Sequence, residues 1–222
     1  MSTIDPNPHK EHGLEIYGAP LNQAKLAVVL LHGRRQSAQD AYKNGEAIGL
    51  ADVAYILPIA KDRTWYPHSF MAPLDSNQPS LDQALDCVET TIEELRGYGF
   101  ADSRIVLMGF SQGACLAAEF IYRRPRPIGG LIAFSGGLFG PDEAAWGAPS
   151  AALDFPAFFG TSDSDSWMPL ERIERSAEAF RRAGAEVDFR VYPDMPHHVC
   201  ADEIDAARDL LSALLQPQTS LS

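Results

Sequence analysis

One stretch constrains this chain more than any other: RIVLMGFSQGACLAAEF, residues 104–120. Arg104–Met108 reads as a buried strand and Gln112–Arg123 as a helix that stops before Pro125. Between them lies Gly109-Phe110-Ser111-Gln112-Gly113, a match to the G-x-S-x-G elbow. The spacing has a steric reason. A serine on so sharp a strand-to-helix turn has strained backbone angles, and side chains two residues to either side would strike the neighbouring segments. Gly109 and Gly113 remove that obstacle, and the Ser111 hydroxyl is lifted toward a helix N-terminus, where developing negative charge is favoured. Five such residues alone are common; the strand before and the helix after make Ser111 a candidate nucleophile.

The rest of the chain repeats the same alternation. Ala27–Leu31, Val53–Leu57, Gly130–Phe134, Pro156–Phe159 and Val187–Tyr192 read as short apolar strands, with His12–Tyr17 as an additional edge strand. Helices are expected over Ser37–Leu50, Ser80–Arg96, Pro169–Ala183 and Asp202–Leu215, with Ser37 and Ser80 as N-caps. Leu81, Leu85, Val88, Ile92 and Leu95 form one apolar stripe. This order predicts an α/β fold, a mostly parallel central sheet with helices on both faces and no large lid domain. A single domain is expected over residues 1–222, with short polar tails at about 1–12 and 216–222. Residues 58–79 are a long loop rich in proline and aromatic side chains. Trp65, Tyr66 and Phe70 from it, with Leu138 and Trp167, are candidate pocket walls.

A nucleophilic serine needs a base to take its proton and an acid to orient that base. In α/β-hydrolase folds the chain order is serine, acid, histidine. Only His197 and His198 follow Ser111, both in the loop YPDMPHHVCADE. The segment GTSDSDSWMPLERI after Pro156–Phe159 offers Asp163 and Asp165 as the acid. Asp165 is favoured because it opens a compact turn nearer the next helix; Asp163 stays open as the alternative. Two N–H donors are needed for the oxyanion. The backbone N–H groups of Gln112 and of Arg34, in LLHGRRQS, are expected to supply them. His32 reads as a structural histidine of that loop. Arg34 and Arg35 read as surface charges or as attractors of a substrate carboxylate.

The net charge of −12, from 18 basic and 30 acidic residues, argues against nucleic acid and stable membrane association. Three cysteines, Cys87, Cys115 and Cys200, make no disulfide framework and no CxxC metal or redox pair. The polar N-terminus does not read as a secretory signal, and no apolar run approaches the ~18 residues of a membrane span. A cytoplasmic monomer or homodimer acting on a small-molecule ester is expected.

The segments LLHGRRQS, TWYP, GFSQGACLA, FSGGL, DSWMP and MPHHVCADE together resemble the phospholipase/carboxylesterase family, over about residues 26–215. The family's acid opens a D-x-x-V-P segment, which falls on Asp165–Pro169 with Met168 in place of valine. Its base follows G-M-x, which falls on Asp194-Met195-Pro196 and points to His197. Its oxyanion loop is H-G-x-G, where this chain has His32-Gly33-Arg34-Arg35, with arginine replacing the last glycine. The resemblance implies a serine carboxylesterase with Ser111, Asp165 and His197 as triad, without metal or cofactor; the compact domain without an inserted lid is what argues for small or short-chain esters. An acyl-protein thioesterase or lysophospholipase is the rival enzyme. A non-catalytic binding module on the same scaffold would need a missing triad member, and none is missing.

Overall fold

The computed structural model describes residues 7–216. Seven strands form one sheet: β1 (Leu14–Gly18), β2 (Leu26–Leu31), β3 (Val53–Pro58), β4 (Ile105–Phe110), β5 (Gly130–Phe134), β6 (Pro156–Ser162) and β7 (Glu186–Tyr192). Their order is β1-β3-β2-β4-β5-β6-β7. β1 pairs antiparallel with β3, and every other pairing is parallel. Every residue of β2, β3 and β5 is buried, as a strand covered on both faces requires.

The alternation of side chains along the strands builds two cores. Ala27, Val29 and Leu31 of β2 join one apolar cluster, and Leu26, Val28 and Leu30 join the other. The first cluster packs α2 (Ser80–Gly97), α3 (Gln112–Arg123) and α4 (Leu170–Arg182); the second packs α1 (Ala38–Ile48) and α5 (Ala201–Leu215). The predicted stripe of α2 is buried throughout, from Leu81 to Leu95. Ser37 caps α1 through a reciprocal pair with Asp40, its hydroxyl accepting from the Asp40 N–H at 3.1 Å.

Four expectations need correction. Ser80 is not a cap: α2 begins one residue earlier than a serine cap would allow, with Pro79 at its N-cap position. β4 and β6 run beyond the expected Met108 and Phe159, to Phe110 and Ser162, because one ladder partner of each, β5 for β4 and β7 for β6, continues past the glycine. The edge strand is Leu14–Gly18 rather than His12–Tyr17. Residues 7–12 are no free tail: Asn7 Nδ2 donates to the Gln83 carbonyl at 2.7 Å, and buried His9 lies 5.4 Å from the Trp65 ring. The remaining tail residues, 1–6 and 217–222, lie outside the described residues. Neither connection over the C-terminal edge of the sheet, 59–79 or 135–155, contains an α-helix, so no large lid covers it.

Candidate active site

β4 delivers Ser111 at its C-terminal end, and α3 begins at the next residue. Ser111 has φ 54° and ψ −118°, a strained conformation for a residue with a side chain. The flanking glycines are sterically required. A Cβ on Gly109 would lie 2.5 Å from the Gly113 carbonyl carbon, and one on Gly113 would lie 2.0 Å from the Leu31 carbonyl oxygen. The turn is also tied across the sheet, with the Ser111 N–H donating to the Phe134 carbonyl at 2.9 Å.

Two other loops converge on the serine. His197 Nε2 is 2.9 Å from Ser111 Oγ, and His197 Nδ1 is 2.6 Å from Asp165 Oδ2. Asp165 has a fully buried side chain, and its Oδ1 accepts from the N–H groups of Trp167 (2.8 Å) and Met168 (3.2 Å). A carboxylate so held accepts the Nδ1 proton, which leaves Nε2 with a lone pair for the serine hydroxyl. Asp163 takes a different part: it is exposed, and its Oδ1 accepts from the Asp194 N–H at 2.9 Å, linking the acid loop to the base loop. His198 is exposed and turned to the Pro196 carbonyl, 2.9 Å away.

Glu203 fixes the far end of the base loop. It is fully buried, and its Oε2 accepts from the Cys200 N–H at 2.9 Å. Its Oε1 has no hydrogen-bond partner among the described residues, and burial pushes its carboxyl up to about 7. Nothing in the sequence set Glu203 apart from the other acids of α5.

The N–H groups of Arg34 and Gln112 have no protein acceptor among the described residues, as donors for a substrate oxyanion require. Arg35 occupies the position where the related pattern has glycine. Its φ is 67°, the left-handed region that glycine enters without cost, and its N–H donates to the Arg63 carbonyl at 2.8 Å. The loop therefore keeps a glycine-like path with an arginine in it. His32 is buried beneath, and burial lowers its pKa: Nδ1–H donates to the Gly33 carbonyl (2.8 Å) and Nε2 accepts from the Ala60 N–H (3.1 Å).

A cavity of about 620 Å³ opens over Ser111. Tyr66, Phe70, Phe110, Met168 and Trp167 supply apolar wall, and Arg34, Arg35 and His68 stand among its polar lining. Two expected wall residues are elsewhere. Trp65 is fully buried outside the lining: its indole N–H donates to the His32 carbonyl at 2.9 Å, and its ring stacks on His32. Leu138 is fully buried toward α4, its N–H donating to Ser176 Oγ at 3.0 Å.

Sequence reasoning also missed what the Arg34 and Gln112 side chains do. The Arg34 guanidinium donates to three successive carbonyls, of Tyr66, Pro67 and His68, at 2.9 to 3.0 Å. The Gln112 amide donates to the Tyr66 carbonyl (2.8 Å) and accepts from the Trp65 N–H (3.0 Å). Together they hold the aromatic loop over the site, so Arg34 is neither a spare surface charge nor a free carboxylate receptor. Cys115, one turn beyond Ser111, is buried, and burial pushes its thiol up to about 12. Among the described residues no group of three or more His, Cys, Asp or Glu side chains could hold a metal ion, and no helix is long and apolar enough to cross a membrane.

Residues 15–215 match the model of a family described as phospholipase/carboxylesterase. The crystal structure of a phospholipase/carboxylesterase from Dyadobacter fermentans superposes with a TM-score of 0.84, at 38% identity, over 91% of this chain and 96% of that one. Acyl-protein thioesterase 1 of Cryptococcus neoformans var. neoformans is 24% identical over 230 residues, 89% of this chain and 94% of the relative. Acyl-protein thioesterase 1 of Saccharomyces cerevisiae is 30% identical over 125 residues, and that match spans only 55% of either protein.

Proposed function

The chain belongs to the phospholipase/carboxylesterase family and is a hydrolase of carboxylic esters, and on that premise we propose that it works as a single-domain serine esterase on small or short-chain substrates. The observation that carries the reading is the unbroken line from Ser111 Oγ to His197 to Asp165, at the floor of an open cavity.

The steps follow from that line. His197 Nε2 takes the Ser111 hydroxyl proton as Oγ bonds to the acyl carbon. The N–H groups of Arg34 and Gln112 hold the oxyanion, and the buried Asp165 carboxylate holds His197 in the required tautomer and stabilises its cation. The tetrahedral species collapses as His197 returns the proton to the departing alcohol oxygen. Water then attacks the acyl-enzyme by the same route, with His197 again taking and returning a proton, and the carboxylic acid leaves.

A fluorophosphonate probe should label the wild-type protein at Ser111. Ser111→Ala should abolish labelling and lower ester turnover by several orders of magnitude. Unchanged turnover in that variant would refute the assignment. The acyl preference is read from a series of nitrophenyl esters of increasing chain length, where rates should fall beyond the short chains. The names of the yeast and Cryptococcus relatives favour a second reading, thioester hydrolysis. Matched substrates with the same acyl group on oxygen or on sulfur separate the two.

A further inference from the structure

Fourteen arginines are present, and twelve of them have a side-chain hydrogen bond or ion pair. Arg34, Arg104 and Arg208, for example, bond to backbone carbonyls, and Arg96, Arg123 and Arg190 pair with carboxylates. Arg35 and Arg63 are the two whose guanidinium groups have no such partner among the described residues. In a chain with 30 acidic residues, two unpaired arginines side by side need a reason. They are adjacent through the backbone, the Arg35 N–H donating to the Arg63 carbonyl at 2.8 Å. Both have positive φ, 67° and 54°. Asp62, the nearest acid along the chain, forms no ion pair with either.

Arg35 is exposed, and it stands at the mouth of the cavity. Arg35 lines the cavity over Ser111, and no aspartate or glutamate is among that cavity's lining residues. The one carboxylate of the site, Asp165, is buried behind His197 and already fully engaged. The neighbouring cation, Arg34, is spent on three loop carbonyls. A protein of net charge −12 thus has a cavity whose mouth is locally positive. Arg35 holds a backbone conformation that glycine would adopt more readily, so its side chain is retained against a local cost.

We propose that Arg35 is an anion subsite that selects esters carrying a carboxylate a few bonds from the scissile carbonyl. Trp167, 72% exposed at the rim, supplies apolar wall for the part of the substrate between the carboxylate and the scissile carbonyl. The proposal rests on Ser111 being the nucleophile of this cavity. It adds a substrate class, and it gives the loop arginine a part in specificity rather than in bond making.

The test compares kcat/KM for matched esters with and without a carboxylate. One pair, para-acetoxybenzoate and para-acetoxybenzamide, puts the charge on the leaving group. The other, monoethyl adipate and ethyl hexanoate, puts it on the acyl side. At low ionic strength the wild-type enzyme should prefer the anion in at least one pair by about tenfold, and added salt should compress that preference. Arg35→Gly, which suits the left-handed backbone, and Arg35→Gln should each cut the anion-to-neutral ratio by about fivefold or more, while Arg35→Lys keeps most of it. A ratio that stays the same in Arg35→Gly, with the neutral esters still turned over and Ser111 still labelled, overturns the subsite and leaves the esterase reading standing. Failure of the wild-type protein to hydrolyse any of the four esters or to label at Ser111 overturns both.

Discussion

The serine turn and the loops that face it reach the same positional accuracy by opposite means. The turn is set by contact: Gly109 and Gly113 have no room for a Cβ, and backbone presses on backbone. The aromatic loop and the base loop are set by hydrogen bonds from side chains to main-chain groups. Arg34 and Gln112 hold the first, and Asp165, Asp163 and Glu203 hold the second and its neighbour. A contact-set element tolerates no added atom. A bond-set element tolerates change of shape but not loss of a donor or acceptor.

Five substitutions probe that contrast. Gly113→Ala should be the most damaging, costing about 4 kcal/mol or more, because the new methyl meets two carbonyls of β2 and its loop and no flexible side chain can yield. Chemical denaturation measures it; a loss below about 1 kcal/mol would mean that the turn is less tightly set than the contacts require.

Glu203→Gln sharpens the other side and carries a pH signature. Burial raises its folded carboxyl to about 7, from about 4.5 for a free glutamate. The stability it contributes is therefore fully present below about 4.5 and is lost as pH rises through about 7. The amide keeps an acceptor for the Cys200 N–H without the charge. The variant should gain on the wild type by at most about 3 kcal/mol at pH 8 and much less at pH 5. A gain that does not change between the two would remove desolvation of Glu203 as its cause.

Gln112→Ala and Arg34→Ala each release the aromatic loop from one clamp. Each should cost about 1–3 kcal/mol and raise KM more than it lowers kcat, with faster exchange of the Trp65, Tyr66 and His68 amides. Equal protection of those amides in variant and wild type would show that the loop is held by packing instead. The smallest effect is expected for Arg35→Gly. Relief of the left-handed backbone should be offset in part by the greater freedom of glycine in the unfolded chain, for a net change within about 1 kcal/mol in thermal unfolding.

The same contrast explains what could be read from the sequence. Steric demands are written in residue size, so the elbow glycines and the two-faced strands were legible. The partner types of a nucleophilic serine are equally plain: only two histidines follow Ser111, and the segment after β6 holds two aspartates. Choosing Asp165 over Asp163 needed the turn that aims Asp165 Oδ1 at two N–H groups, or a resemblance that stood in for it. Carbonyl acceptors are the same at every residue and leave no trace in sequence, so the clamps of Arg34 and Gln112 were invisible. Trp65 and Tyr66 are adjacent aromatics of similar character, and only the path of the loop decides which one faces the cavity. Glu203 looked like any acid in the first turn of a helix until its burial was known.

The strand order carries one more consequence. Ser111 leaves β4, Asp165 follows β6 and His197 follows β7, with the serine and its histidine 86 residues apart. Nothing in the first half of the chain can hydrolyse an ester by this route, however well it folds. Return of turnover after dilution from denaturant is thus a clock for arrival of the last parallel strand at its edge of the sheet, and it should run no faster than any optical signal from the sheet's centre.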